Sequence, residues 1–272
     1  MALAEFTVLF REVLESAFVI GIMLTYLTKT KNSKYNKFVW GGALVGIFLS
    51  VLVAYTFQFS IESFEQYEEI FEGTFMIVTS LLVTGMILWI IKQKHIVESI
   101  KGDIKIKLDN GQPIGLFVLS AISVLREGVE VILFLAGIFL TTGTLSLIGG
   151  VLGAIAALIT CILIFNYAVK FNIGLFFKAT AAVLVLLAAG LFSQGLHELQ
   201  EAKILPEWIE HVYDLNLQQN ADGTYPIFHE KGIFGGTLKG LIGYDTNPSD
   251  LQVIGYLAYL GCAYWVYTRK LD

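Results

Sequence analysis

The chain has 272 residues, of which 56% are hydrophobic and only 15% charged, and its mean hydropathy is +0.70. Such a composition excludes an ordinary water-soluble domain of this length, and a formal net charge of −5 gives no indication of a nucleic-acid partner. The two cysteines, Cys161 and Cys262, have no paired spacing, so neither a disulfide framework nor a thiolate metal site is expected.

Seven apolar runs of about 20 residues, the length that crosses a bilayer, follow one another at 4–28, 38–57, 70–91, 114–140, 145–165, 175–196 and 251–267. The first holds Arg11, Glu12 and Glu15 where a signal peptide would have an uncharged core, so it is expected to remain as a helix. Lys29, Lys31, Lys34 and Lys37 follow it, and Lys92, Lys94, Lys101, Lys105 and Lys107 join spans three and four. Lys170, Arg269 and Lys270 fall on the same side, which the positive-inside rule makes cytoplasmic. The other side is acidic, with Glu62, Glu65, Glu68, Glu69 and Glu72 between spans two and three and a carboxylate-rich connection over 197–250. The expected protein is thus a multi-pass component of the cytoplasmic membrane, with its N-terminus outside and its C-terminus in the cytoplasm.

Span one contains Arg11-Glu12-Val13-Leu14-Glu15, and span four contains Arg126-Glu127-Gly128-Val129-Glu130. On a helix the Arg and the second Glu stand at i and i+4 and the two Glu at i and i+3, so each motif presents one cation and two carboxylates on one stripe. Facing copies would set four carboxylates against two guanidinium groups. That is a net negative, oxygen-lined cavity, which suits a hard metal cation. A purely structural ion pair would account for one Glu per helix and leave the second unexplained.

The repeated motif divides the chain into repeat one, about 1–95, and repeat two, about 112–200, with an outer connection over about 197–250 and a seventh helix over about 251–268. Three spans per half force opposite orientations, the arrangement that places a transporter's substrate site near the midplane. Each motif lies roughly ten residues into its span, which at about 1.5 Å per residue is near the middle of a ~30 Å core. The expected fold is therefore an all-α integral membrane protein of seven transmembrane helices, two inverted three-helix repeats plus a seventh helix.

The doubled Arg-Glu-x-x-Glu motif resembles that of the high-affinity iron permeases, the oxidase-dependent iron transporters of fungi and their bacterial EfeU-type relatives. Phe71-Glu72-Gly73, the run from Gln194 to Glu201, and the run from Gly240 to Asp245 are similar to that family too. Its usual Gly-Leu spacer is replaced by Val13-Leu14 and Gly128-Val129, while every charged position is retained. The resemblance implies iron as cargo, Glu12, Glu15, Glu127 and Glu130 as its ligands, and no resident cofactor. It also implies a partner outside the membrane, either an oxidase or an iron-binding protein. Valence stays open, since carboxylates without sulfur suit Fe(III) whereas the bacterial relatives are associated with ferrous uptake. Manganese or zinc transport, or a metal-binding sensor or scaffold subunit, remain the rival readings.

Glu68, Glu69 and Glu72 at the start of span three, with His197, Glu198 and Glu201 at the close of span six, are expected to form an outer cation-receiving cluster. A solvated helix end is the plainer account of Glu62, Glu65 and Glu210, and His95, His211 and His229 give no ligand spacing. No GxxxxGK[ST] loop, HExxH pair or intramembrane haem-ligand pair is present, so an ATPase, an intramembrane metalloprotease and a haem enzyme are not indicated. Gly149, Gly150, Gly153 and Ala157 permit a close helix contact in span five, internal or between subunits. The glycine-interrupted stretch 215–250 is expected to fold against the membrane surface or cap the mouth, and not to form an eighth span.

Overall fold

The computed structural model describes residues 2–62, 68–92, 102, 104, 113–167, 173–209, 211–215, 225–229 and 232–269. Glu65, Glu210 and His95 lie outside them, as do Lys94, Lys101, Lys105, Lys107, Lys170 and Lys270; of Glu62 and Glu68 only the backbone is described. The regular structure of the described residues is entirely helical: α1 (Ala2–Lys29), α2 (Asn36–Glu62), α3 (Glu68–Lys92), α4 (Pro113–Thr142), α5 (Leu147–Tyr167), α6 (Ile173–Glu201), α7 (Ile233–Ile242) and α8 (Asp250–Arg269). A single 3-10 turn, Ser33–Tyr35, joins α1 to α2. Each expected span falls on one of the long helices.

Four helical stretches are long and apolar enough to cross a membrane on those grounds alone: Ser33–Thr56, Glu69–Ile87, Leu147–Phe165 and Ala179–Glu201. The helices α1 and α4 are longer still, 28 and 30 residues or about 42 and 45 Å. They stand apart because they carry the charged motifs. Outward faces agree with a lipid surrounding: Leu44, Phe48 and Val51 on α2, and Val151, Ile155 and Ile159 on α5, are all exposed. Large apolar side chains in such rows have no place against water. The chain is a multi-pass membrane protein.

The main pairings are α1 with α5, α2 with α4, α3 with α6, α6 with α8 and α1 with α4. Two of them are built alike. Gly42 and Gly46 of α2 lie against the carbonyl oxygens of Phe117 and Ala121 of α4, and Gly149 and Gly153 of α5 lie against those of Ala2 and Phe6 of α1. A Cβ at any of the four would press on the facing backbone, so the helices approach as only small residues allow. The correspondence that sets Arg11 on Arg126 also sets Ala2 on Phe117 and Phe6 on Ala121. Residue numbers rise together along both contacts, so α1 runs parallel to α5 and α2 parallel to α4. The small-residue stripe of span five is therefore an internal contact, which the sequence left undecided.

Two apolar clusters bracket a charged layer. One gathers Ala4 and Val8 of α1, Phe134 and Ile138 of α4, and residues of α3, α6 and α8. The other gathers Ile20, Met23 and Leu27 of α1, Val39 and Ala43 of α2, and Leu116 and Val124 of α4. Residues 11–15 and 126–130 lie between them along their helices.

The stretch expected to fold against the membrane surface or cap the mouth contains a helix. At 10 residues, or about 15 Å, α7 is half the length needed to span the core. It packs against α6, α1 and α4. Its end is closed by Gly243, which takes φ 68° and donates its N–H to Lys239 O at 3.1 Å. Gly243 then rests directly on Gly190, eleven residues before the end of α6, where a Cβ on either would collide with the other's backbone. The glycines that break the helical pattern in the sequence are what lets this short helix enter the bundle.

The start of α8 is fixed by a reciprocal cap. Ser249 Oγ accepts the Gln252 N–H at 3.3 Å, and Gln252 Oε1 accepts the Ser249 N–H at 2.7 Å. Ser249 Oγ also donates to Gln200 Oε1 at 2.6 Å, tying α8 to the end of α6.

Candidate metal centre

Helical spacing puts Arg11, Glu12 and Glu15 on the side of α1 that meets α4. Arg11 is 1% exposed and Glu12 1%, so both charges are almost fully enclosed. A guanidinium has five donors in a flat fork, and here the fork is divided between two acceptors. Nη1 bonds Glu12 Oε1, and Nη2 lies 2.8 Å from Glu15 Oε1. Arg11 thereby fixes both carboxylates of its own motif.

The second motif is held differently. Within its own motif, Arg126 Nε lies 3.0 Å from Glu130 Oε1 and 4.0 Å from Glu127 Oε1. Its side chain remains 35% exposed, against 1% for Arg11. The same charged positions have unequal surroundings.

Across the α1–α4 contact, one oxygen each from Glu12, Glu127 and Glu130 lie within 4.8 Å of one another. Metal–oxygen distances of about 2.0–2.6 Å put two ligands of one ion about 3–5 Å apart, so this spacing is compatible with a shared hard cation. Glu12 Oε2, Glu127 Oε2 and Glu130 Oε2 are buried without a hydrogen-bond partner, and buried acceptors in that state are completed by a proton, a water or an ion. Glu15 is the expected ligand that does not belong to the triplet; it is drawn to Arg11 instead.

The residues expected to form the cation-receiving cluster are brought together as well. Glu198 stands within electrostatic reach of Glu201, Glu72 and Glu69, and Gly73 of α3 packs against the backbone of Gly195 and the side chain of Glu198. His197 Nε2 lies 3.3 Å from Glu201 Oε1. Glu69, Glu72, His197, Glu198 and Glu201 therefore share the junction of α3 and α6, while the side chain of Glu68 is outside the described residues. Of the other histidines, His211 faces Asn247 O at 3.2 Å and His229 is buried against Tyr225.

The model of the iron permease FTR1 family matches residues 2–269 of this sequence. The chain belongs to that family. Among relatives, it is 27% identical over 260 residues to the ferrous iron permease EfeU of Yersinia pestis, covering 94% of this chain and 89% of the relative. It is 26% identical to the ferrous iron permease EfeU of an Escherichia coli O6:H1 strain, covering 94% and 91%. These relatives are named as permeases and not as enzymes. No solved structure matches the chain.

One acid of this family member escaped the sequence reading. Glu5 is 1% exposed and its Oε1 accepts the N–H of Ser146, at the start of α5, at 2.8 Å. Its signal was its spacing: Glu5 precedes Glu12 by seven residues, two turns along the same face of α1.

Proposed function

We propose that this protein carries iron across the cytoplasmic membrane into the cell, with Glu12, Glu15, Glu127 and Glu130 forming the layer through which the ion passes. The observation that carries this reading is the convergence of Glu12, Glu127 and Glu130 from two helices, buried between apolar clusters, in a member of the iron permease family. With every motif side chain ionised, four carboxylates and two guanidinium groups sum to a formal charge of two negatives. A divalent cation brings the layer to neutrality, which matters where charge is costly. Ferrous iron, the ion in the relatives' names, meets that condition. Arg11 and Arg126 hold the carboxylates and do not touch the cation.

The matched glycine contacts of α1 with α5 and α2 with α4 support two inverted repeats, about 1–95 and 112–200, with α8 as the seventh crossing and α7 entering from the outer connection. In that arrangement the N-terminus is outside and the C-terminus cytoplasmic, and the α3–α6 junction lies at the outer mouth. There Glu69, Glu72, Glu198 and Glu201 would gather cations before they move inward. Redox chemistry and the supply of iron belong to an extracytoplasmic partner, and lipid surrounds the apolar faces of α2 and α5.

Flux in proteoliposomes with Fe(II), Fe(III), Mn(II) and Zn(II) as separate arms tests the reading. Iron influx is expected in the wild type, and loss of one charged ligand, about 1.5–3 kcal/mol, should cut it at least about tenfold in Glu12→Gln, Glu127→Gln and Glu130→Gln. Glu15→Gln is expected to lose less, since its carboxylate stands outside the triplet. Metal bound without flux would make the protein a sensor or scaffold, and faster Mn(II) or Zn(II) flux would reassign the cargo.

A further inference from the structure

Glu5 makes one contact that packing explains and keeps one oxygen that packing leaves unexplained. The α5 helix begins after Ser146, whose Oγ accepts the Gly149 N–H at 3.2 Å, while the Ser146 N–H goes to Glu5 Oε1 at 2.8 Å. In a capping box the second bond comes from a Glu or Gln three residues along. That position is Gly149, which must be small to meet α1, and Glu5 supplies the missing acceptor from the neighbouring helix. One neutral oxygen would complete this cap. Glu5 Oε2, however, is buried with no hydrogen-bond partner.

The other half of the molecule performs the same packing without an acid. The correspondence that pairs Arg11 with Arg126 and Gly149 with Gly42 pairs Glu5 with Ser120 and Ser146 with Val39. Ser120 is fully buried and its hydroxyl donates to Val39 O at 2.7 Å. A small neutral side chain is thus sufficient to join these helices at this level. A fully enclosed carboxylate is costly unless a cation offsets it, and no such cost is incurred at Ser120.

We propose that Glu5 is a second cation-binding carboxylate, an outer relay that takes the transported metal ion about 10 Å, two helical turns, before Glu12. Glu5, Val8, Glu12 and Glu15 share one face of α1, with fully buried Val8 separating the two acidic levels in this conformation. The short helix α7 covers the same level, its Gly240 set beside the Cβ of Ala4 and the methyl of Thr142. The relay rests on the iron-transport reading above, and its ligand is the same hard divalent cation.

Gln at position 5 still accepts the Ser146 N–H but has no charge, so Glu5→Gln separates capping from cation binding. Iron uptake by proteoliposomes is measured against iron concentration for the wild type, Glu5→Gln, Glu5→Asp and Glu12→Gln, with thermal stability of each. Glu5→Gln is expected to keep wild-type stability and maximal rate while its half-saturating iron concentration rises at least about threefold, an affinity loss of about 0.65 kcal/mol. Glu5→Asp should show a smaller shift in the same direction, and it decides the matter if Glu5→Gln does not assemble. A wild-type half-saturation in these variants, or a reduced maximal rate at unchanged half-saturation, would reduce Glu5 to a helix cap. If that occurs while Glu12→Gln is inactive, only the relay fails; absence of flux in the wild type overturns the transport reading and the relay together.

Discussion

Arg11 and Arg126 occupy matching positions in matching motifs, yet one is sealed and the other keeps a third of its side chain exposed. Arg11 bonds two different carboxylates through two nitrogens, a task that a single ammonium on a flexible stem cannot repeat. Within its own motif Arg126 reaches Glu130 through Nε, and its side chain is far less buried. Arg11→Lys should therefore reduce iron uptake more than Arg126→Lys, although neither alters the net charge. Arg11→Gln leaves buried carboxylates without their partner, at a cost of about 3–5 kcal/mol, so its melting temperature should fall well below that of Arg126→Gln. Equal losses in the two Lys variants would mean that the charge alone matters and that the divided fork of Arg11 does not.

Between elements, the bundle depends on two close approaches of the same design, α1 on α5 and α2 on α4. Placing Leu at Gly42 or at Gly149 forces a side chain into facing backbone, and overpacking of this kind typically costs about 1–3 kcal/mol. Both variants are expected to lose thermal stability, by similar amounts if the two contacts are equivalent. At Gly85 and Gly261 a methyl group would meet nothing within 4 Å, so Ala there should leave stability unchanged or raise it by up to about 1 kcal/mol. A stable Gly149→Leu protein would show that α1 and α5 are not held this tightly.

For the whole molecule, orientation decides which side the acidic mouth, Glu5 and α7 serve. In a background with Cys262 replaced by Ser, a cysteine at exposed Glu207 should react with an impermeant thiol reagent added to intact cells. One at Asn32, in the turn between α1 and α2, should react only after permeabilisation. The reverse pattern would place the α3–α6 junction in the cytoplasm and turn the proposed direction of the relay around.

The membrane spans and the charged motifs were legible in the sequence because both are local properties. Length and hydropathy define an apolar run such as 38–57 without reference to any neighbour, and i, i+3, i+4 spacing puts Arg11, Glu12 and Glu15 on one stripe of any helix they form. The Gly149–Gly153 contact surface was likewise present in the residues themselves. What faces what was not. Only packing of α1 against α4 brings Glu12 to Glu127 and Glu130 and leaves Glu15 with Arg11, and only the covering elements make Arg11 buried and Arg126 partly exposed. The helix α7 was hidden for the same reason: its glycines weaken a helix judged alone and become an advantage only where Gly243 must meet Gly190. Glu5 appears in the sequence as one acid near a helix start; only the tertiary structure buries it, with one oxygen on the start of α5 and the other unpartnered, and enclosure is what turns an ordinary carboxylate into one that requires a cation.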